Sequence, residues 1–156
     1  MGTTILVFEV CGRQFGLESN LVREVVRAVT VAPLPQPSHC VEGVVSLRGA
    51  IVPVVDMRAL LCFPAREIEL SDHLIVIEHD SWLVALHVDH AADLIKLEET
   101  QCESSQSMHD LAPMILFEAK MPDKIIHVLD PDQFGLRSII GLTEDRKLQV
   151  MEGADG

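Results

Sequence analysis

Val41-Glu42-Gly43-Val44-Val45-Ser46-Leu47-Arg48-Gly49-Ala50-Ile51-Val52-Pro53-Val54-Val55-Asp56-Met57-Arg58 is the stretch whose reading decides the fold. Residues 43–47 are rich in β-branched side chains and read as a strand. Arg48-Gly49 is a tight turn, and residues 50–55 are a buried return strand that ends at Asp56. A short helix over about residues 57–62 then leads into a polar loop at 66–72.

The same pattern recurs further along the chain. Ile51-Val52-Pro53-Val54-Val55-Asp56 aligns with Ile125-Ile126-His127-Val128-Leu129-Asp130, 74 positions later. The opening hairpin also has a counterpart. Its strands, residues 5–10 and Phe15-Gly16-Leu17, flank the turn Cys11-Gly12-Arg13-Gln14. Phe8-Glu9 aligns with Ile77-Glu78, and Phe15-Gly16-Leu17 with Val84-Ala85-Leu86, both 69 positions later. The two offsets differ by a few residues that fall in loops. Two copies are too few for a solenoid and indicate duplication of one small β unit.

The expected fold is therefore mainly β. It consists of two small five-stranded SH3-like β-barrel lobes that share a core, with short helices between strands. Residues 1–150 form one domain, with lobes at roughly 1–70 and 71–140, either consecutive or interleaved, and a tail at 151–156. After Glu18-Ser19-Asn20, the spacing of Leu21, Val22, Val25 and Val26 predicts a helix of one to two turns. Pro33, Pro35 and Pro37 mark an extended surface crossing, because proline has no amide to give to a sheet interior. A short apolar element follows at Ala91, Leu94 and Ile95, then an exposed polar loop over 98–110. Residues 138–152 are expected to hold a short helix or to fray.

Composition narrows the function. The chain has 156 residues, 48% of them hydrophobic, which supports a real core. A formal net charge of -12 opposes nucleic-acid backbones and anionic lipid. The apolar stretches are short and broken by charge, Pro or Gly, so none is expected to span a membrane. Met1-Gly2-Thr3-Thr4 enters an apolar strand without the basic start of a secretory signal. Cys11, Cys40, Cys62 and Cys102 show no CxxC spacing and read as free thiols of a reducing cytoplasm.

Several segments, in order, resemble the CheW-like coupling proteins of bacterial chemosensory systems. Leu6-Val7-Phe8 through Phe15-Gly16-Leu17 is similar to the family's opening hairpin, and Val22-Arg23-Glu24-Val25 to its VxEV/I element. The quoted stretch 41–58 is similar to its GVxNLRGxIxPVxDLR signature almost throughout. The likeness weakens after about residue 98: Ile115-Leu116-Phe117-Glu118-Ala119 lacks the family's glycine, and Pro131 follows Asp130 directly.

The resemblance implies a non-catalytic adaptor without cofactors. Such an adaptor couples chemoreceptor cytoplasmic tips to the regulatory domain of a CheA-type histidine kinase, in the cytoplasm at membrane receptor arrays. It implies a receptor-binding surface that includes Val22, Glu24, Gly43 and Arg48, and a kinase-binding surface near Val31. A receptor helix would lie in a groove between the lobes, and an edge of the first lobe would pack on the kinase. The alternative within the family is a scaffold for surface motility, development or second-messenger output.

Each of these residues also has a structural reading. Arg48 is either a clamp for a partner carboxylate or an internal partner of Glu24. Gly43 supplies either backbone freedom or room for an approaching helix. Val22 is either core or an apolar anchor. Asp56 and Asp130 read as structural caps of matched strand ends.

The rival chemistry lies in His87-Val88-Asp89-His90. On a strand His87 and Asp89 share a face, which makes them a minimal metal-binding pair. No third ligand is evident, and no metal is expected. His109 and His127 are isolated. The chain contains no Walker loop, GxGxxG or GxSxG.

Overall fold

The first apolar run and its return form a hairpin of β1 (Thr3–Val10) and β2 (Arg13–Glu18). Cys11 and Gly12 link them with φ of 54° and 75°, the doubly left-handed turn that suits the twist of a two-residue hairpin. A single 3-10 turn, Ser19–Leu21, leads into β3 (Val22–Arg27). The helix expected from the spacing of Leu21, Val22, Val25 and Val26 is thus absent: Leu21 closes the 3-10 turn and the valines lie on a strand. The three valines restrict χ1 in a helix and suit a pleated surface.

Next come β4 (Val41–Leu47), β5 (Ala50–Asp56), and α1 (Met57–Leu60). The hairpin β6 (His73–His79) and β7 (Trp82–Val88) follows, then β8 (His90–Leu97), which is the apolar element around Ala91, Leu94 and Ile95. The chain continues through a 3-10 turn at Glu99–Gln101 to β9 (Cys102–Glu103), β10 (Ile115–Lys120), β11 (Ile125–Leu129) and a 3-10 turn at Pro131–Gln133. This computed structural model describes residues 2–28, 31–34, 40–79, 81–104 and 112–138. Pro35, Pro37, His109 and the segment 139–156 lie outside the described residues.

The strands form two sheets, of order β8-β1-β2-β11-β10-β9 and β3-β6-β7-β5-β4. One sheet is thus built from residues between 22 and 88, and the other from residues on both sides of that segment, so the sheets interleave along the chain. Neither sheet closes into the five-stranded barrel that the sequence suggested. One has six strands, and in the five-stranded sheet the segment after β3 reaches the far edge strand β4 through an isolated bridge, Ala32 with Val44. Ala32 N donates to Val44 O at 2.8 Å, and Val44 N to Ala32 O at 2.9 Å.

The duplication is visible in the hydrogen-bond register. Val54 pairs with Ala85 in the parallel β5·β7 ladder, and Val128 with Gly16 in β11·β2. Positions 54 and 128 differ by 74, and 85 and 16 by 69, the two offsets seen in the sequence. A bulge interrupts β3·β6 between Val22 and Glu24, opposite Ile77 and Val76. Its counterpart interrupts β1·β8 where Phe8 faces Ala91 and Val7 faces Asp93. Each copy therefore sends its third strand, β3 or β8, to the hairpin of the other copy. Asp56 accepts from Arg58 N and Asp130 from Asp132 N, both at 3.0 Å, so both aspartates are the caps they were read to be.

This exchange creates three apolar layers. Alternate residues of β1, Ile5 and Val7, fill the six-stranded lobe with Leu97, Ala119, Ile126 and Val128. Their counterparts Leu74 and Val76 fill the other lobe with Val45, Val52, Val54 and Ala85. The opposite faces, including Leu6, Phe8, Leu17, Ile75, Ile77, Leu86 and Leu129, meet in a core shared by both sheets. Strands buried on both faces explain the nearly continuous apolar runs in the sequence.

Candidate functional site

Arg48 and Gly49 occupy the β4–β5 turn with φ of 51° and 80°. Here the glycine serves the turn, and the bend projects Arg48 outward, its side chain 84% exposed. The Arg48 Nη2 donates to Glu24 Oε2 at 2.8 Å. Glu24 lies on β3, at the opposite edge of the same sheet. The pair therefore spans the seam that the Ala32–Val44 bridge stitches.

Gly43 sits beside that seam. A Cβ there would meet Ala32 O at 2.2 Å and Val31 Cγ1 at 2.9 Å. The missing side chain thus makes room for the chain's own segment at 31–32. Val31 leans into the five-stranded lobe's interior and Val22 into the shared core, both half-buried. Of the five residues singled out from sequence, Glu24 and Arg48 meet directly, and Val31 and Gly43 touch.

A second constellation lies between β4, β5, β7 and the loop before β6. His87 is buried, its side chain 3% exposed. Its Nδ1 is 2.6 Å from Glu42 Oε1, and its Nε2 is 2.7 Å from Asp72 Oδ2. Burial disfavours the imidazolium, but hydrogen bonds to Glu42 and Asp72 outweigh it and raise the His87 pKa. Asp56 is raised too, first by burial and then by the charge of Glu42.

Asp89 has different neighbours. Arg58 grips it with Nη2 at 2.7 Å and Nε at 3.2 Å, Arg66 Nη2 donates at 2.8 Å, and Cys11 N at 2.9 Å. Burial works against the ionised form. The Arg58 contact, the Cys11 amide and Arg66 overcome it and hold the Asp89 carboxyl at about 2. The metal pair read from the sequence, His87 with Asp89, is therefore not formed: Asp89 is turned to Arg58, Arg66 and the Cys11 amide, while His87 faces Glu42 and Asp72. Glu42, Arg58, Arg66 and Asp72 escaped the sequence reading. The signal for Glu42 was present in the repeat, where its counterpart 74 positions later is Leu116.

The two exchanged lobes, the capped strand ends and the seam around the 43–58 signature together match one known architecture. The family model described as CheW-like domain matches residues 4–135. The chain belongs to the CheW-like domain family. It is similar to a "Chemotaxis protein CheW" of Bacillus subtilis, 27% identical over 131 residues, covering 83% of this chain and 84% of that protein. It is 32% identical to a CheW of Rhizobium meliloti over 98 residues, 63% of each chain. Among solved structures, the scaffolding protein TtCheW from Thermoanaerobacter tengcongensis superposes with a TM-score of 0.76 at 27% identity. That match covers 83% of this chain and 90% of TtCheW.

The CheW-like chain is accordingly a non-catalytic scaffolding protein of the chemotaxis type. The chemotaxis relatives do not favour a surface-motility, developmental or second-messenger role, or a metal-binding protein built on His87 with Asp89. Among the described residues, no helix is long and apolar enough to cross a membrane.

Proposed function

We propose that this chain couples chemoreceptor cytoplasmic tips to the regulatory domain of a CheA-type histidine kinase. It would act in the cytoplasm, recruited to membrane receptor arrays. The observation that carries the proposal is the CheW-like match across both lobes, residues 4–135. Holding two partners at once requires no chemistry. It raises their effective concentration and sets their orientation.

In this proposal Arg48 and Glu24 form the polar part of the receptor surface. The guanidinium is exposed yet oriented by one carboxylate, leaving further donors for a partner helix. Val22 supplies apolar backing. Gly43 acts indirectly, by letting the segment at 31–32 seat against β4. Val31 lies on that segment and is the proposed kinase-side residue.

The test is Arg48→Glu, measured by calorimetry against a receptor signalling fragment and, separately, a kinase regulatory domain. The expected result is at least a tenfold loss of receptor affinity, about 1.4 kcal/mol, with kinase affinity retained. Unchanged receptor affinity in the folded variant removes Arg48 from the surface.

A further inference from the structure

We propose that Glu42, Asp56 and His87 form a binding site for one divalent transition-metal ion. One ligand atom from each lies within 4.8 Å of the others. The three come from β4, the end of β5, and β7, which are adjacent strands in the order β7-β5-β4. Asp56 and His87 are direct partners in the β5·β7 register. Glu42 stands in the β4 bulge between Val41 and Gly43, an irregularity that re-aims a strand side chain. Backbone ladders, and not loops, therefore place the donors.

The surroundings suit a metal-ligating histidine. Asp72, its side chain 2% exposed, engages His87 Nε2 and is itself paired with Arg66 at 2.9 Å. A carboxylate on the far nitrogen fixes the tautomer and strengthens the near nitrogen as a ligand. Nδ1 is then the atom presented to Glu42. Asp56 takes backbone amides of the following turn, Arg58 N at 3.0 Å on Oδ1, and its carboxylate still faces Glu42 and His87 within ligand distance. Among the described residues no arginine or lysine pairs with Glu42 or Asp56. A divalent ion would replace the proton on Nδ1, which leaves to solvent, and would neutralise both carboxylates. One imidazole with two carboxylates suits Zn2+ and its neighbours in the first transition row. Ca2+ and Mg2+ prefer all-oxygen sets.

The experiment adds Zn2+ to the full chain. It follows the histidine ring nitrogens by NMR and the unfolding midpoint by calorimetry. The expected result is one-to-one uptake with a shifted His87 Nδ1 resonance and a raised midpoint. Both effects should be lost in Glu42→Gln and in Asp56→Asn, which keep side-chain shape and, in Asn, the cap acceptor. His73→Gln, which removes a histidine elsewhere, should leave both effects intact. If one site variant does not fold, the other and the wild-type His87 resonance still decide. Uptake that leaves His87 unmoved, or that persists in both site variants, assigns the zinc to thiols or surface histidines and overturns the proposal. So does the absence of one-to-one binding.

Discussion

Asp89 ties the hairpin turn at Cys11, the helix residue Arg58 and the loop residue Arg66 together through one carboxylate. Asp89→Asn keeps the shape and an acceptor but removes the charge. The carboxyl is held at about 2 against an ordinary 3.8. At about 1.4 kcal/mol per pH unit, the full shift corresponds to about 2.5 kcal/mol. The side chain is 22% exposed, and solvent screening reduces this to about 1–2 kcal/mol.

A carboxyl whose folded pKa lies below its unfolded one stabilises the fold above about pH 4. That contribution disappears as the pH falls toward about 2. Urea unfolding of both proteins from pH 7 to pH 2.5 isolates it, because other carboxylates titrate in both. The difference between the two proteins should be about 1–2 kcal/mol at pH 7 and should shrink steadily below about pH 4. No difference at pH 7, or one that persists unchanged to low pH, would refute the electrostatic account of this junction.

Two further outcomes follow from the packing. Gly43→Ala should cost about 1–3 kcal/mol, because its Cβ collides with the Ala32 carbonyl and breaks the two bridge hydrogen bonds. Hydrogen exchange at the Val44 amide should accelerate, and native-like protection there would show that the seam tolerates a methyl group. Val54→Asp should abolish cooperative unfolding, since Val54 is fully buried and an aspartate there would be an unpaired charge. A cooperative melt near the wild-type midpoint would contradict the assignment of β5 to the core.

The hairpins and the duplication were legible in the sequence because they rest on local signals. Nearly continuous apolar runs end at turn residues, and the matched aspartates both became caps. The exchange of β3 and β8 between copies was not legible. Which hairpin receives a strand depends on long-range register, and neither strand's own residues encode it. Leu21, Val22, Val25 and Val26 fit a helical face equally well, and pairing with β6 settled the matter. At the candidate site, the Arg48–Glu24 pair was one of two readings held open. The reason for Gly43 emerged only when residues 31–32 were seen against it. The His87 network joins positions 15 and 45 residues apart, a distance that no motif spans.

The central claim, simultaneous engagement of two partners, is tested most directly by sedimentation velocity of three purified components. These are the chain, the regulatory domain of a CheA-type kinase from the same cell, and a receptor cytoplasmic signalling fragment. The account predicts one species containing all three, with kinase domain and receptor fragment failing to co-sediment when the chain is omitted. A folded chain that binds neither partner, or that releases one on binding the other, would contradict it.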